Sequence, residues 1–252
     1  MENSKYLGVD LSEHNPNIDF TKLKNNGIDF VILRAGYGKI ISQKDKLFED
    51  YYNKAKAVGL KVGCYWYCYA QTQQELLIEC QVFLELIKGK QFDYPIFLDI
   101  EEQKTFLIQN LEETVINGLT IMENAGYFVG VYSSDYYMSK YFNNKLIPRF
   151  VTWIANWNNN PLSIFSRRGI HQYVVEKNVK FHDKDLDYNM SNYDYSIPII
   201  KMGLNGFPKK EENIANEIND CYVKYVQLQD GIKSLQNKLK NVMDEIDKLI
   251  NC

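Results

Sequence analysis

The stretch Tyr94-Pro95-Ile96-Phe97-Leu98-Asp99-Ile100-Glu101-Glu102 is an apolar run that ends among acidic residues. A short apolar run of this kind is typical of a β-strand that is covered on both faces. Side chains at positions i and i+2 of a strand point to the same face, so we expect Asp99 and Glu101 to project together. The alternative is an exposed acidic cluster at the start of a polar loop.

Similar apolar runs alternate with helix-like stretches along the first 200 residues. The predicted strands are residues 6–10, 30–34, 61–69, 95–100, 127–132, 150–155, 169–175 and 178–180. The predicted helices are residues 19–26, 46–58, 73–87, 112–124 and 135–142, and no helix is predicted after the sixth strand of this region. This alternation indicates a parallel sheet with crossover helices. Eight strands favour a small closed α/β barrel, with an open doubly wound sheet as the alternative.

Length and charge limit the classes of function. The chain has 252 residues and a net charge of −3, which fits one large domain with a small appendage. A near-neutral balance argues against a nucleic-acid partner and against electrostatic binding to a membrane. No apolar stretch has the length of a membrane span, and no secretory signal is predicted. Five cysteines at irregular spacing predict reduced thiols without a disulfide framework.

The last forty residues follow a different pattern. We predict a linker at residues 201–211 and a coiled-coil oligomerisation helix at residues 212–252. Apolar residues recur at spacings of four and three without a break, at Ile214, Ile218, Cys221, Tyr225, Leu228, Ile232, Leu235, Leu239, Val242, Ile246 and Leu249. Such a seam is typical of self-association. The alternatives are a helix docked on its own barrel and a hairpin broken at Gly231. The order of the oligomer and the direction of its helices remain open.

Two further acids join the pair on the fourth strand if the barrel closes. Asp10 ends the first predicted strand, and Asp187 follows the last one. The first and last strands of a barrel are neighbours, and active sites lie at the carboxyl ends of the strands. Four acids would then share one mouth, where one protonated and one ionised carboxyl group can cleave a glycosidic bond. A divalent metal site is the alternative, although no His accompanies the acids at ligand spacing.

Aromatic residues suit the same chemistry. Tyr65 and Tyr67 share one face of the third strand, and Trp153 lies in the sixth. Such side chains pack on the apolar faces of sugars and offer a polar tip to their hydroxyl groups. The sequence has no G-x-S-x-G elbow, no H-E-x-x-H motif and no complete phosphate-binding loop. We therefore predict a site without cofactor or metal.

About four-fifths of the chain resembles the glycoside hydrolase family 25 lysozymes (Chalaropsis type). The resemblance rests on an ordered set of segments at residues 8–12, 18–20, 30–38, 62–67, 97–101, 130–133, 153–155 and 187–189. It implies a catalytic barrel at residues 1–200, with five βα units and three further strands. It also implies cleavage of the β-1,4 bond between N-acetylmuramic acid and N-acetylglucosamine in peptidoglycan glycan strands.

The resemblance also implies roles for single residues. Glu101 would be the general acid, and Asp99 would position the acetamido group if the reaction is substrate-assisted. Asp10 and Asp187 would complete the acidic rim. The predicted substrate-binding residues are Tyr65, Tyr67, Tyr132, Trp153 and Arg34.

Two departures from the family pattern stand out. Residues 13–17 read Glu-His-Asn-Pro-Asn where the family often has Gln-Gly, and a heptad helix stands where many phage members have a wall-binding repeat. The resemblance, with no predicted export signal, suggests a phage endolysin that stays in the host bacterial cytoplasm until it is released to the wall. A wall-binding barrel without turnover and an endoglycosidase for another N-acetylated glycan are the alternatives.

Overall fold

The structure is a computed structural model that describes residues 5–142, 145–156, 169–173, 186–209 and 214–250. In the last of these ranges, side chains are described for residues 221–240, 242 and 243. The chain divides into two compact units, Met1–Lys209 and Lys210–Cys252. Each unit is considered by itself.

The first unit contains a closed eight-stranded barrel in which each strand pairs with its neighbours in chain order. Strands β1 to β7 run parallel, whereas β8 is antiparallel to both β7 and β1. The predicted barrel is thus confirmed, and the open sheet is excluded because β1 pairs with β8. The strands are β1 Tyr6–Leu11, β2 Phe30–Tyr37, β3 Lys61–Tyr67, β4 Ile96–Asp99, β5 Val129–Ser134, β6 Val151–Ala155, β7 Ile170–Tyr173 and β8 Asp187–Ser191.

Alternating side chains divide the apolar residues into two clusters. Phe97 packs in a cluster of strand residues inside the barrel, whereas Leu98 packs in the cluster between the strands and the helices. Both faces of β4 are therefore covered, which explains the continuous apolar run before Asp99. Gly130 makes room for the inner cluster, because a Cβ there would lie 2.6 Å from the Phe97 ring. This packing forms the floor beneath Asp99.

Helices connect the strands on the outside of the barrel. Helix α3, Gln73–Ile87, covers the predicted range and is capped by Thr72, whose hydroxyl accepts a hydrogen bond of 3.2 Å from the N–H of Glu75. The helices of this unit are α1 Phe20–Asn25, α2 Phe48–Ala57, α3 Gln73–Ile87, α4 Leu111–Asn124, α5 Asp135–Tyr141, α6 Leu146–Arg149 and α7 Ser196–Met202. The short helices α6 and α7 were not predicted, because four to seven residues show too little periodicity to be recognised.

The end of the barrel differs from the prediction. Asp187 lies within the last strand rather than after it, and that strand is antiparallel. This strand has no apolar run that would predict it, because its inward-facing residues are polar, at Asp187, Asn189 and Ser191. The strand predicted at residues 178–180 lies outside the described residues.

The barrel unit also includes most of the predicted linker. Asn205 is fully buried, and its Nδ2 donates hydrogen bonds to the carbonyl oxygens of Phe92 and Tyr94 at 3.1 and 2.9 Å. Its Oδ1 accepts a hydrogen bond of 2.6 Å from the N–H of Phe128. Leu204 and Phe207 pack against the inner cluster. Residues 201–209 thus close the amino-terminal end of the barrel instead of forming a free connection.

The second unit contains one helix, α8 Ile214–Ile250. It continues through Gly231, so the hairpin alternative is wrong. Its described apolar side chains are exposed, at between 39% and 67% of their accessible area. Within the described ranges, no helix combines the length and apolar character needed to cross a membrane.

Candidate active site

A cavity of about 650 Å³ opens at the carboxyl ends of the strands. Its lining includes all nine residues predicted for the site, namely Asp10, Arg34, Tyr65, Tyr67, Asp99, Glu101, Tyr132, Trp153 and Asp187. It also includes six that were not predicted, namely Ser12, Glu13, His14, Tyr37, Tyr69 and Gln172. The structure therefore brings together residues that are up to 177 positions apart in the chain.

Asp99 occupies the centre of this acidic group. It ends β4 on the same face as Phe97 and is 3% exposed. Its Oδ1 is buried and has no hydrogen-bond partner among the described residues. Burial raises the pKa of Asp99 well above its usual value, and the charges of Glu101 and Asp10 raise it further. An unpaired acceptor in a cavity is available to a ligand that offers a polar N–H or O–H group.

Glu101 follows Asp99 on the same side and reaches the mouth of the cavity. The cavity wall on its flank removes water from the carboxyl group and raises its pKa, and Asp187 and Glu102 raise it further. The backbone between the two acids is fixed, because the N–H of Ile100 donates to the carbonyl of Tyr132 at 2.9 Å. An acid with a raised pKa at an open mouth is suited to giving a proton to a substrate.

Asp10 and Asp187 are directly paired across β1 and β8. Oδ2 of Asp10 accepts hydrogen bonds of 2.8 Å from the side-chain amides of both Gln172 and Asn189. Burial, followed by the charge of Asp187, raises the pKa of Asp10 to about 7, although the two amides lower it. Asp10 is therefore held where its ionisation responds to small changes in its surroundings.

Two aromatic residues fix the orientation of these amides. The hydroxyl of Tyr132 donates to Oε1 of Gln172 at 2.9 Å, and Nε1 of Trp153 donates to Oδ1 of Asn189 at 2.7 Å. Because each amide oxygen already accepts a hydrogen bond, each NH₂ group must turn toward Asp10. The predicted sugar-binding aromatics thus also help to set the charge of the acidic group.

The aromatic wall of the cavity consists of two groups of contacting rings. The Trp153 ring lies 4.4 Å from the ring of Tyr132 and 5.6 Å from that of Tyr65, measured between centroids. On the outer side, the ring of Tyr69 lies 4.9 Å from Tyr67 and 5.8 Å from Tyr37. The outer group extends the wall from the buried acids toward the surface.

Arg34 contacts two carboxylates beside the cavity. Its Nε donates to Oδ2 of Asp45 at 2.8 Å, and its Nη2 donates to Oε1 of Glu13 at 3.0 Å. Asp45 is 1% exposed and also accepts from the N–H of Glu13 at 2.9 Å. This network holds Glu13, the first residue of the segment that departs from the family pattern, at the cavity lining.

Sequence reasoning missed the partners that orient the acids. Gln172 and Asn189 are uncharged amides in weak strand patterns, and Asp45 lies in a polar loop. Asn189 could have been identified from the sequence, since it belongs to the segment at residues 187–189 that resembles the family. Within the described ranges, no group of three or more His, Cys, Asp or Glu side chains is arranged to hold a metal ion.

The sequence profile named Glycosyl hydrolases family 25 matches residues 9–181, more than half of the chain. The chain belongs to this family. Of its curated relatives, the family 25 chain is 26% identical over 151 residues to a protein of Clostridium acetobutylicum named Autolytic lysozyme. That match covers 60% of this chain and 44% of the relative, so the chain spans less than half of that relative's length.

Solved structures agree on the fold of this family 25 member. The modular autolysin LytC from Streptococcus pneumoniae is 26% identical and covers 74% of this chain and 46% of its own, with a TM-score of 0.60. The CTP1L endolysin is 24% identical and covers 78% of this chain and 69% of its own, with a TM-score of 0.63. At this level of identity, the endolysin supports the fold alone.

Proposed function

We propose that this protein hydrolyses peptidoglycan at the β-1,4 bond between N-acetylmuramic acid and N-acetylglucosamine. The observation that carries the proposal is the common position of Asp99 and Glu101, which follow one strand into one cavity. Two relatives above 25% identity support it. One is named an autolytic lysozyme, and the other, LytC, has also been solved with a synthetic peptidoglycan ligand.

In this proposal Glu101 protonates the departing glycosidic oxygen. Its raised pKa keeps a fraction of the carboxyl groups protonated at pH values where an ordinary glutamate is ionised. The position at the cavity mouth gives this carboxyl group access to a glycan chain that enters from solvent. After bond cleavage, the resulting carboxylate accepts the proton of an incoming water molecule.

Asp99 positions the acetamido group of the sugar that is attacked. Its unpaired Oδ1 accepts a hydrogen bond from the acetamido N–H, and this bond increases the negative charge on the acetamido oxygen. That oxygen attacks the anomeric carbon while Glu101 protonates the glycosidic oxygen and the glycosidic bond breaks. Water then opens the ring that has formed. This reaction sequence needs an N-acetylated sugar, and it gives a hydrogen-bond partner to Asp99 Oδ1, which has none among the described residues.

Asp10 and the aromatic wall complete the site. Asp10 is oriented by Gln172 and Asn189 and contributes negative charge where positive charge develops on the sugar ring. Trp153 and the neighbouring tyrosines pack against the apolar faces of the sugars. The cell wall is the place of action, because the substrate lies there.

Digestion of purified peptidoglycan of defined structure tests the proposal. Mass spectrometry of borohydride-reduced products is expected to show N-acetylmuramic acid at every new reducing end. Reduced N-acetylglucosamine would assign the other bond of the glycan. If no reducing sugar is released, the protein is a wall-binding barrel without turnover. Equal cleavage of chitin oligosaccharides would indicate a broader endoglycosidase.

A further inference from the structure

Helix α8 carries a continuous apolar seam, defined here by its described residues. Every seam residue is exposed, and the six seam residues other than Cys221 are between 51% and 67% exposed. Exposed apolar area of this extent in a soluble chain marks a binding surface. The seam consists of Cys221, Tyr225, Leu228, Ile232, Leu235, Leu239 and Val242.

The seven-residue repeat of the seam indicates what kind of partner it binds. A straight helix has 3.6 residues per turn, so a stripe with a strict repeat of seven drifts by about 20° per heptad around its surface. A globular surface cannot follow that drift over the length of α8. A second helix with the same repeat can, because the two helices wind around each other and keep the stripes in contact. Another copy of this chain supplies such a helix.

The charges beside the seam select the direction of the helices. In a parallel pair, Lys224 and Lys238 face Gln229 and Met243 of the other copy, so no like charges meet. In a fully overlapping antiparallel pair, Lys224 of one copy faces Lys238 of the other, and this repulsion occurs twice. Like charges at such flanking positions disfavour one arrangement relative to the other.

The residues at the centre of the seam favour two helices. Ile232 occupies an a position, and Leu228 and Leu235 occupy the d positions on either side. A β-branched residue at a with leucine at d favours two-stranded parallel packing. We infer that α8 pairs with α8 of a second copy as a parallel, in-register, two-stranded coiled coil.

This pairing goes beyond the proposed hydrolysis. The 37 residues of α8 form a rod of roughly 55 Å, at 1.5 Å per residue. Because the helices run in the same direction, both barrels connect to the same end of the rod. Two sites on one rod act on an insoluble polymer with an avidity that a single site lacks.

Light scattering coupled to size exclusion tests the number of copies. The full chain is expected at twice the 29.6 kDa of one copy. The double variant Leu228→Lys and Leu235→Lys places charge in the seam and is expected at the mass of one copy. The matched control, Gln227→Lys and Ser234→Lys, adds the same charge at exposed positions outside the seam and is expected to remain a dimer. A wild-type monomer or trimer, or a monomeric control, would overturn the inference.

Cys221 tests direction and register. The thiols at Cys64, Cys68 and Cys80 are buried, and Cys252→Ser removes the cysteine at the carboxyl end. In the parallel pair the two copies of Cys221 meet in one layer, at a Cα separation of about 6 Å that a disulfide can span. In the antiparallel pair Cys221 faces Leu239, which separates the two cysteines by roughly 27 Å along the rod.

Mild oxidation of the Cys252→Ser protein is therefore expected to give a covalent dimer on a non-reducing gel. The additional change Cys221→Ser is expected to abolish this product. A dimer in solution that does not cross-link through Cys221 would exclude the parallel arrangement. Glu101→Gln is expected to dimerise normally, so failure of the pairing and failure of the proposed hydrolysis are seen separately.

Discussion

Asp10 and Asp187 are cross-strand partners in the antiparallel pair of β1 and β8, where the barrel closes. Like charges opposite each other in adjacent strands repel. Burial, and then the charge of Asp187, raises the pKa of Asp10 to about 7. Two amides act in the other direction by donating to the ionised form. The protonation of Asp10 is thus a balance that single substitutions can shift either way.

Asp187→Asn is expected to lower the pKa of Asp10, because it removes a negative charge from its neighbour. If hydrolysis requires ionised Asp10, the acidic limb of the pH profile of kcat/KM moves to lower pH. The measurement is the rate of dye release from labelled peptidoglycan between pH 4 and pH 9. An acidic limb that stays in place would show that Asp187 does not act on the group that limits activity.

Gln172→Met is expected to have the opposite effect. The substitution keeps a similar volume but removes a hydrogen bond of 2.8 Å to the Asp10 carboxylate. Loss of a hydrogen bond to a charged group costs about 1.5–3 kcal/mol, which corresponds to one to two pKa units. The acidic limb therefore moves to higher pH by about one unit or more. A matched change at the adjacent residue, His171→Gln, is expected to leave the limb unchanged.

Glu101→Gln is expected to lower kcat by about 10²–10⁴-fold, the usual contribution of a general acid. The amide cannot supply the proton. It is nearly isosteric and carries no charge, so thermal unfolding should occur at the wild-type temperature or above it. Glu102→Gln is the control, because Glu102 is the next residue and does not line the cavity. Equal losses in both variants would argue for a general charge effect in place of proton transfer.

Asp99→Asn is expected to reduce activity and to stabilise the fold at neutral pH. The buried carboxylate has an unpaired oxygen, and removal of its charge avoids a cost of about 1–3 kcal/mol. Since the folded-state pKa is raised, the stability that wild-type Asp99 contributes is complete below its unfolded pKa and is lost as the pH rises through the folded pKa.

Urea unfolding at several pH values checks this expectation. The variant should be more stable than the wild type at pH 7, and the difference should shrink toward pH 4. A variant less stable than the wild type at pH 7 would show that the Asp99 carboxylate is satisfied in the folded protein.

Arg34→Met is expected to lower the free energy of unfolding by about 3 kcal/mol or more, because it leaves the buried carboxylate of Asp45 without its cation. The loop of residues 12–14 loses a contact at the same time, so KM should rise. Lys54→Met is the comparison, since Lys54 and Asp50 form an exposed i,i+4 pair worth only about 0.3–0.5 kcal/mol. Similar losses in both variants would contradict the special role of the buried pair.

Several features of the barrel could be predicted because their signals are local. The apolar run before Asp99 identified a strand covered on both faces, and the period of two placed Glu101 on the same side. The period of 3.6 identified α3 with its observed bounds. The ordered segments of the family resemblance added the distant Asp187 and the aromatic positions.

Other features needed the folded chain. Gln172 and Asn189 lie 162 and 179 positions from Asp10. The family segment at residues 187–189 includes Asn189, but no local pattern shows that either amide donates to Asp10. Residues 201–209 have the composition of a linker. Asn205 is nevertheless buried, and its side chain forms hydrogen bonds with segments more than 70 residues away in the chain. Such contacts depend on closure of the barrel, which local patterns do not encode.

The sequence alone determined the order of β1 to β7 and of α1 to α5, the placement of two acids at the end of one strand and the heptad seam, because each follows from the periodicity of a single element. Only the tertiary structure decided that the last strand is antiparallel, that Asp10 lies against Asp187 and that two amides hold Asp10. The physical reason is that a hydrogen-bonded network needs several atoms within about 3 Å of one another, and only the closed barrel brings distant residues that near.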